Sequence, residues 1–130
     1  MKKLKNYYII AKEGSGKIMN FYDKVHELVR AFKATDEYLK YIDVKSSVKS
    51  NEQLYKALQE FKEEQRKTQM EYISTNKMNE ESQLKLQKSY EELIKNEDVR
   101  KLFEYEIKLD VLLADMQKII GEGIKELIEF

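Results

Sequence analysis

The sequence predicts an all-α protein: a helical bundle built on a long antiparallel helical hairpin and completed as a dimer. Three observations carry that expectation. There is no proline in 130 residues, where average usage gives about six, and proline breaks helices by removing a donor and clashing with the preceding turn. The four glycines form two pairs, Gly14/Gly16 and Gly121/Gly123, so the chain between them is free of strong breakers. Residues 96–130 read as one unbroken helix with Val99, Leu102, Leu109, Leu113, Met116, Ile120 and Leu127 at three-and-four spacing, interrupted mainly by Glu106 and Gly123. Such a helix spans about 50 Å, against a diameter of roughly 36 Å for a globule of this length. The excess ends in a helical subdomain or a dimer seam, and the expected oligomer seam is Leu102, Leu109, Leu113, Met116, Ile120 and Leu127, centred on Leu109 to Ile120.

Residues 1–18 differ from the rest. A strand-like Tyr7-Tyr8-Ile9-Ile10 precedes Gly14-Ser15-Gly16, which predicts a flexible tail before a single helical domain at 19–130. Lys12-Glu13-Gly14 can be encoded by a purine-rich ribosome-binding sequence just upstream of Met19, which marks Met19 as a candidate native start.

The first helix is expected from Phe21 to Ala34, with Asn20 as N-cap and Phe21, Val25, Leu28, Val29 and Phe32 on one face. Thr35 caps the second, whose first turn holds Asp36 and Glu37 where the helix dipole favours negative charge, with Tyr38, Tyr41, Ile42 and Val48 inward. Ser50 or Asn51 opens a long third helix whose stripe runs Leu54, Leu58, Phe61, Gln65, Thr68, Tyr72. Gln65 and Gln69 stand where a plain coiled coil carries Leu, so they line a cavity or face solvent. Residues 74–80 form the turn. A helix from Glu80 to Lys95 follows, with Leu84, Leu86, Tyr90, Leu93 and Ile94 as its contacts, and Asn96 caps the last helix ahead of Glu97 and Asp98. Two long helices joined by a short turn fold back on each other.

Charge narrows the function. Lys plus Arg and Asp plus Glu both number 24, so no global field draws in nucleic acid or an acidic membrane. Locally the balance shifts, from five Lys against one Glu in residues 1–18 to eight basic against twelve acidic groups in residues 81–130. There is no cysteine, which removes disulfides, thiolate catalysis and cysteine-held clusters and suits a cytoplasmic protein. The run Tyr7 to Ala11 is too short for a signal-peptide core, and no later stretch lacks charge for long enough to span a bilayer.

Chemistry-bearing constellations are sparse. Gly16-Lys17 lacks the Gly and the Ser/Thr of a phosphate-binding loop, which would have to replace Ala11 and Ile18. His26, the single histidine, stands beside Asp23, Glu27 and Arg30; a zinc or acid–base role would need partners that sequence spacing does not supply, and a surface or boundary histidine is the expected reading. Glu60-Glu63-Glu64 and Glu91-Glu92 lack the Glu-x-x-His pattern of bundle metal centres and read as solvated faces. No catalysis, metal or cofactor is expected. Glu106, within an apolar stripe, must be paired or lie where the stripe opens to water. Nine tyrosines and no tryptophan suit partly wet interfaces; core packing explains most of them, and a cluster of exposed Tyr38, Tyr41 and Tyr55 would mark a partner surface instead.

From Phe21 to Ile128 the chain resembles the YlbF/YmcA/YheA family of small helical bacterial proteins. The resemblance rests on Tyr22-Asp23-Lys24-x-His26-Glu27-Leu28, Glu37-Tyr38-x-x-Tyr41, Phe61-x-x-x-Gln65, Asn96-x-x-Val99 and Leu102-Phe103-x-Tyr105-Glu106-x-x-Leu109. It implies an all-helical homodimer or higher homo-oligomer on a long hairpin, without enzymatic activity. It further implies regulation through family paralogues and a complex with a membrane-anchored endoribonuclease, influencing competence, biofilm formation and sporulation. The cysteines that hold an iron–sulfur cluster in the regulatory complex are absent here, which resembles the YheA-like branch, and Tyr105 replaces a small residue often found before the final-helix glutamate. The expected function is a non-catalytic regulatory adaptor acting through helical interfaces; the alternatives are a self-associating structural homo-oligomer and, disfavoured by charge, a nucleic-acid binder.

Overall fold

The computed structural model describes residues 16–129. The expected tail as far as residue 15, including Tyr7–Ile10, lies outside them. The described residues form six helices and no strand: α1 (Gly16–Lys33), α2 (Asp36–Ser50), α3 (Glu52–Thr75), α4 (Glu80–Leu93), α5 (Glu97–Gly123) and α6 (Lys125–Ile128). Two compact units divide inside α2, between Leu39 and Lys40.

In the first unit, α1 begins at Gly16, and Asn20 lies inside the helix instead of capping it. The expected apolar face is present, but no side chain of α1 is buried; Phe21, Val25, Leu28 and Val29 are all exposed. Thr35 does start α2, its Oγ1 accepting the Tyr38 N–H at 3.2 Å while its hydroxyl donates to the Phe32 carbonyl at 2.8 Å. The Phe32 and Tyr38 rings meet edge to face at 5.8 Å.

In the second unit each long helix opens on an asparagine. Asn51, Asn79 and Asn96 accept the N–H groups of Leu54, Ser82 and Val99 at 3.2, 3.2 and 3.1 Å. Each satisfies one of the donors a helix start leaves unpaired. At the other end of α3, Asn76 takes the left-handed conformation, φ 55°, and its N–H donates to the Tyr72 carbonyl at 2.8 Å. Asparagine tolerates that geometry better than other residues bearing a Cβ. Residues 76–79 thereby join α3 to α4, and those two helices pack against each other.

The core gathers Val48, Leu58, Phe61, Leu93, Val99 and Leu102, with Tyr41, Val44, Leu54, Tyr55, Leu86 and Phe103 packed against it. Val48 and Leu93 end their helices and Val99 starts α5, so the core sits where α2 hands over to α3 and α4 to α5. Burying each such side chain contributes about 1.5–3 kcal/mol. Ile42 and Leu84, expected inward, are exposed.

The last helix is not continuous. Helical geometry stops at Gly123, and Ile124 (φ −119°, ψ 24°) leads into the single turn of α6. Two glycines within three residues weaken the helix there, because each loses more backbone freedom on ordering than any other residue.

Candidate interaction surface

The apolar file on α5 divides at Leu109. Val99, Leu102 and Leu109 are buried, and no residue of α5 beyond Leu109 is. Leu102, 2 % exposed, lies wholly within the core of its own chain. Further along, Met116 is half-buried, and Leu113 and Ile120 are 38 % and 47 % exposed. Leu127, past the break, is 80 % exposed. The six seam residues expected from the sequence thus fall into a buried pair, Leu102 and Leu109, and four that leave apolar area uncovered. Ile107, Val111 and Ile119 are exposed beside them.

Glu106 is paired. Its Oε2 accepts from the Lys62 ammonium at 2.7 Å, and the same ammonium lies 5.2 Å over the Phe103 ring. Phe103 stacks on Tyr90 at 5.7 Å and meets Phe61 at 6.0 Å, with Phe61 and Tyr90 6.3 Å apart. This aromatic group from α3, α4 and α5 was not foreseen from sequence, since no spacing rule links three separate helices. Lys62, 44 positions before Glu106, gives no such signal either.

Of the three tyrosines expected on a partner surface, Tyr38 belongs to the first unit. Tyr41 and Tyr55 line a pocket of about 360 Å³ in the second, together with Lys45, Lys62 and Glu106. All three are half-buried. Lys45 and Lys49 stand over the Tyr41 and Tyr55 rings at 5.5 and 5.9 Å. Gln69 lines a different pocket, at the α3–α4 turn, and Gln65 is half-buried.

Among the described residues no group of three or more His, Cys, Asp or Glu is arranged to hold a metal ion. The acidic stretches are exposed apart from the half-buried Glu64, and three of their carboxylates are paired: Glu63 with Arg66 at 2.6 Å, Glu92 with Lys95 at 2.9 Å and Glu64 with Lys85 at 3.9 Å. The hydrogen bond from Arg66 holds the Glu63 carboxyl below its ordinary range, and Glu92 raises the Lys95 ammonium. His26 is exposed on α1. No helix among the described residues is long and apolar enough to cross a membrane.

A family model described as "Control of competence regulator ComK, YlbF/YmcA" matches residues 21–125. The chain belongs to this family. Among its relatives are UPF0342 proteins of Halothermothrix orenii, 31 % identical over 107 residues, and Clostridium tetani, 32 % identical over 106. Each alignment covers 82 % of this chain and 91 % of the relative. A UPF0342 protein of Staphylococcus haemolyticus is 29 % identical over 109 residues, 84 % of this chain and 96 % of its own. The YlbF/YmcA match spans α1 to α5 and includes every expected surface residue except Leu127.

Proposed function

We propose that this protein is a non-catalytic regulatory adaptor of the bacterial cytoplasm that works as a homo-oligomer, with α3 and α4 as the arms of a long antiparallel hairpin and the second half of α5 as the seam. The observation that carries this reading is the file Leu113–Met116–Ile120, which continues the buried Val99–Leu102–Leu109 line past the last residue the chain itself buries. An apolar stripe of that kind lowers its free energy by meeting another one. Membership in a family described by control of a competence regulator supports a regulatory role. Within that role, family paralogues and an endoribonuclease complex are the expected partners, and the regulated step is RNA processing upstream of competence, biofilm formation and sporulation.

The test is affinity purification of the tagged full chain from its native host at physiological salt, with mass spectrometry of what co-purifies and light scattering of the purified chain. Recovery of paralogues or an RNA-degrading enzyme with an oligomeric chain supports the adaptor. An oligomer that purifies alone supports a structural homo-oligomer with no RNA-processing role, and a monomer refutes the seam.

A further inference from the structure

The first unit presents an apolar helix face that it does not bury. No side chain of α1 is buried, and Ile18, Phe21, Val25, Leu28 and Val29 are 40–60 % exposed. At 3.6 residues per turn these five side chains share a sector of about 100°. The helix is 18 residues long, or about 27 Å.

Charge is distributed around that face. By the same geometry Lys17 and Lys24 flank it on one side and Lys33 on the other, whereas Asp23 and Glu27 point away on the opposite side. Lys24 and Glu27 form an exposed 3.2 Å ion pair, which water screens and which leaves the net charge of the helix unchanged. The even balance of the whole sequence divides at the end of this helix. Residues 1–33 carry eight basic groups against three acidic ones, and residues 34–130 carry 16 against 21. The apolar face therefore lies on the basic part of an otherwise acidic chain.

Two copies of α1 do not satisfy this arrangement. Antiparallel pairing about Val25 sets Lys17 against Lys33, and parallel pairing sets each flanking lysine beside its own counterpart; like charges brought together oppose association. A surface that carries negative charge over an apolar interior meets both features at once, because the apolar face enters it while the flanking ammonium groups stay at the charged boundary.

We propose that α1 lies in the plane of an anionic lipid bilayer, with Phe21, Val25 and Leu28 at the boundary of headgroups and acyl chains and Lys17, Lys24 and Lys33 among the headgroup phosphates. Such a helix rests on the membrane without crossing it. The proposal is independent of the seam on α5.

Co-sedimentation of the full chain with vesicles tests it, using phosphatidylcholine alone and phosphatidylcholine with roughly one quarter phosphatidylglycerol. Binding should be about tenfold or more stronger to the anionic vesicles and should fall as salt rises. Phe21→Gln combined with Leu28→Gln removes apolar area, keeps every charge and retains good helix formers, so affinity should drop by about tenfold or more. Ile73→Gln, at a side chain 80 % exposed on α3, should bind like the parent. Circular dichroism establishes that each variant keeps the parent helicity. Because the native chain has no tryptophan, Phe21→Trp reports directly on position: its emission should shift to the blue on adding anionic vesicles, and that of Ile73→Trp should not. No binding, equal binding to the two vesicles, or binding that the double variant leaves intact overturns the proposal. It is also overturned if light scattering without lipid shows the double variant breaking up an oligomer of the parent chain, which assigns the face to a second copy.

Discussion

Lys62 and Glu106, 44 positions apart in the sequence, close a 2.7 Å ion pair between α3 and α5, on the same ammonium that covers the Phe103 ring. Their side chains are 42 % and 25 % exposed, so water screens much of the attraction. A double-mutant cycle with Lys62→Met and Glu106→Gln, followed by urea unfolding, should give a coupling of about 0.5–1 kcal/mol that falls as salt rises. Zero coupling at low salt would reduce the pair to a passive contact.

The division of the α5 file predicts unequal responses along it. Leu102→Ala, in the core, should cost about 2–5 kcal/mol and move the urea midpoint far down. Leu127→Ala, measured where the chain is dilute enough to be monomeric, should stay within about 0.5 kcal/mol of the parent. Equal losses at the two positions would contradict the burial pattern.

Asn96→Ala should destabilise by about 1 kcal/mol, because the Val99 N–H loses its acceptor at the start of α5. Asn96→Asp should retain most of that stability, since its carboxylate can accept the same bond. Thermal unfolding followed by circular dichroism distinguishes the two.

Leu113→Asp changes a residue 38 % exposed in the isolated chain, so helicity should survive. In a seam it would place a charge where apolar atoms are required, and association should weaken by about tenfold or more. Light scattering across a concentration series reads this directly; an unchanged oligomer would move the seam elsewhere.

What was legible in the sequence is what local physics determines. Asn51 and Asn96 sit directly before acidic residues, and Thr35 before Asp36 and Glu37, so the starts of α2, α3 and α5 were foreseen. The resemblance across α1 to α5 located the family. Two local readings failed for stated reasons. Asn20 has a capping side chain, but the helix already runs through it from Gly16. The helix across 96–130 followed apolar spacing through Gly121 and Gly123, whose flexibility instead ends α5. Burial was harder to foresee: the stripe of α1 has the same spacing as that of α5, yet only α5 buries part of its own. Spacing defines a face and leaves open what covers it. The Phe61–Tyr90–Phe103 group and the partner of Glu106 depend on contacts between distant segments, and one sequence holds no record of them.

The burial that stops at Leu109 also grades α5 in time. Beyond that point its helical order rests on backbone propensity, and an unsupported helix of about a dozen residues is marginal in water. Amides after Leu109 should therefore exchange with solvent by local fraying, while those near Val99 wait for the whole unit to open. A surface that covers the second half would slow exchange there first. Were that surface a second copy of the chain, the length of protected α5 would gauge how much of the chain is engaged, and the ordering of its C-terminal half would follow concentration.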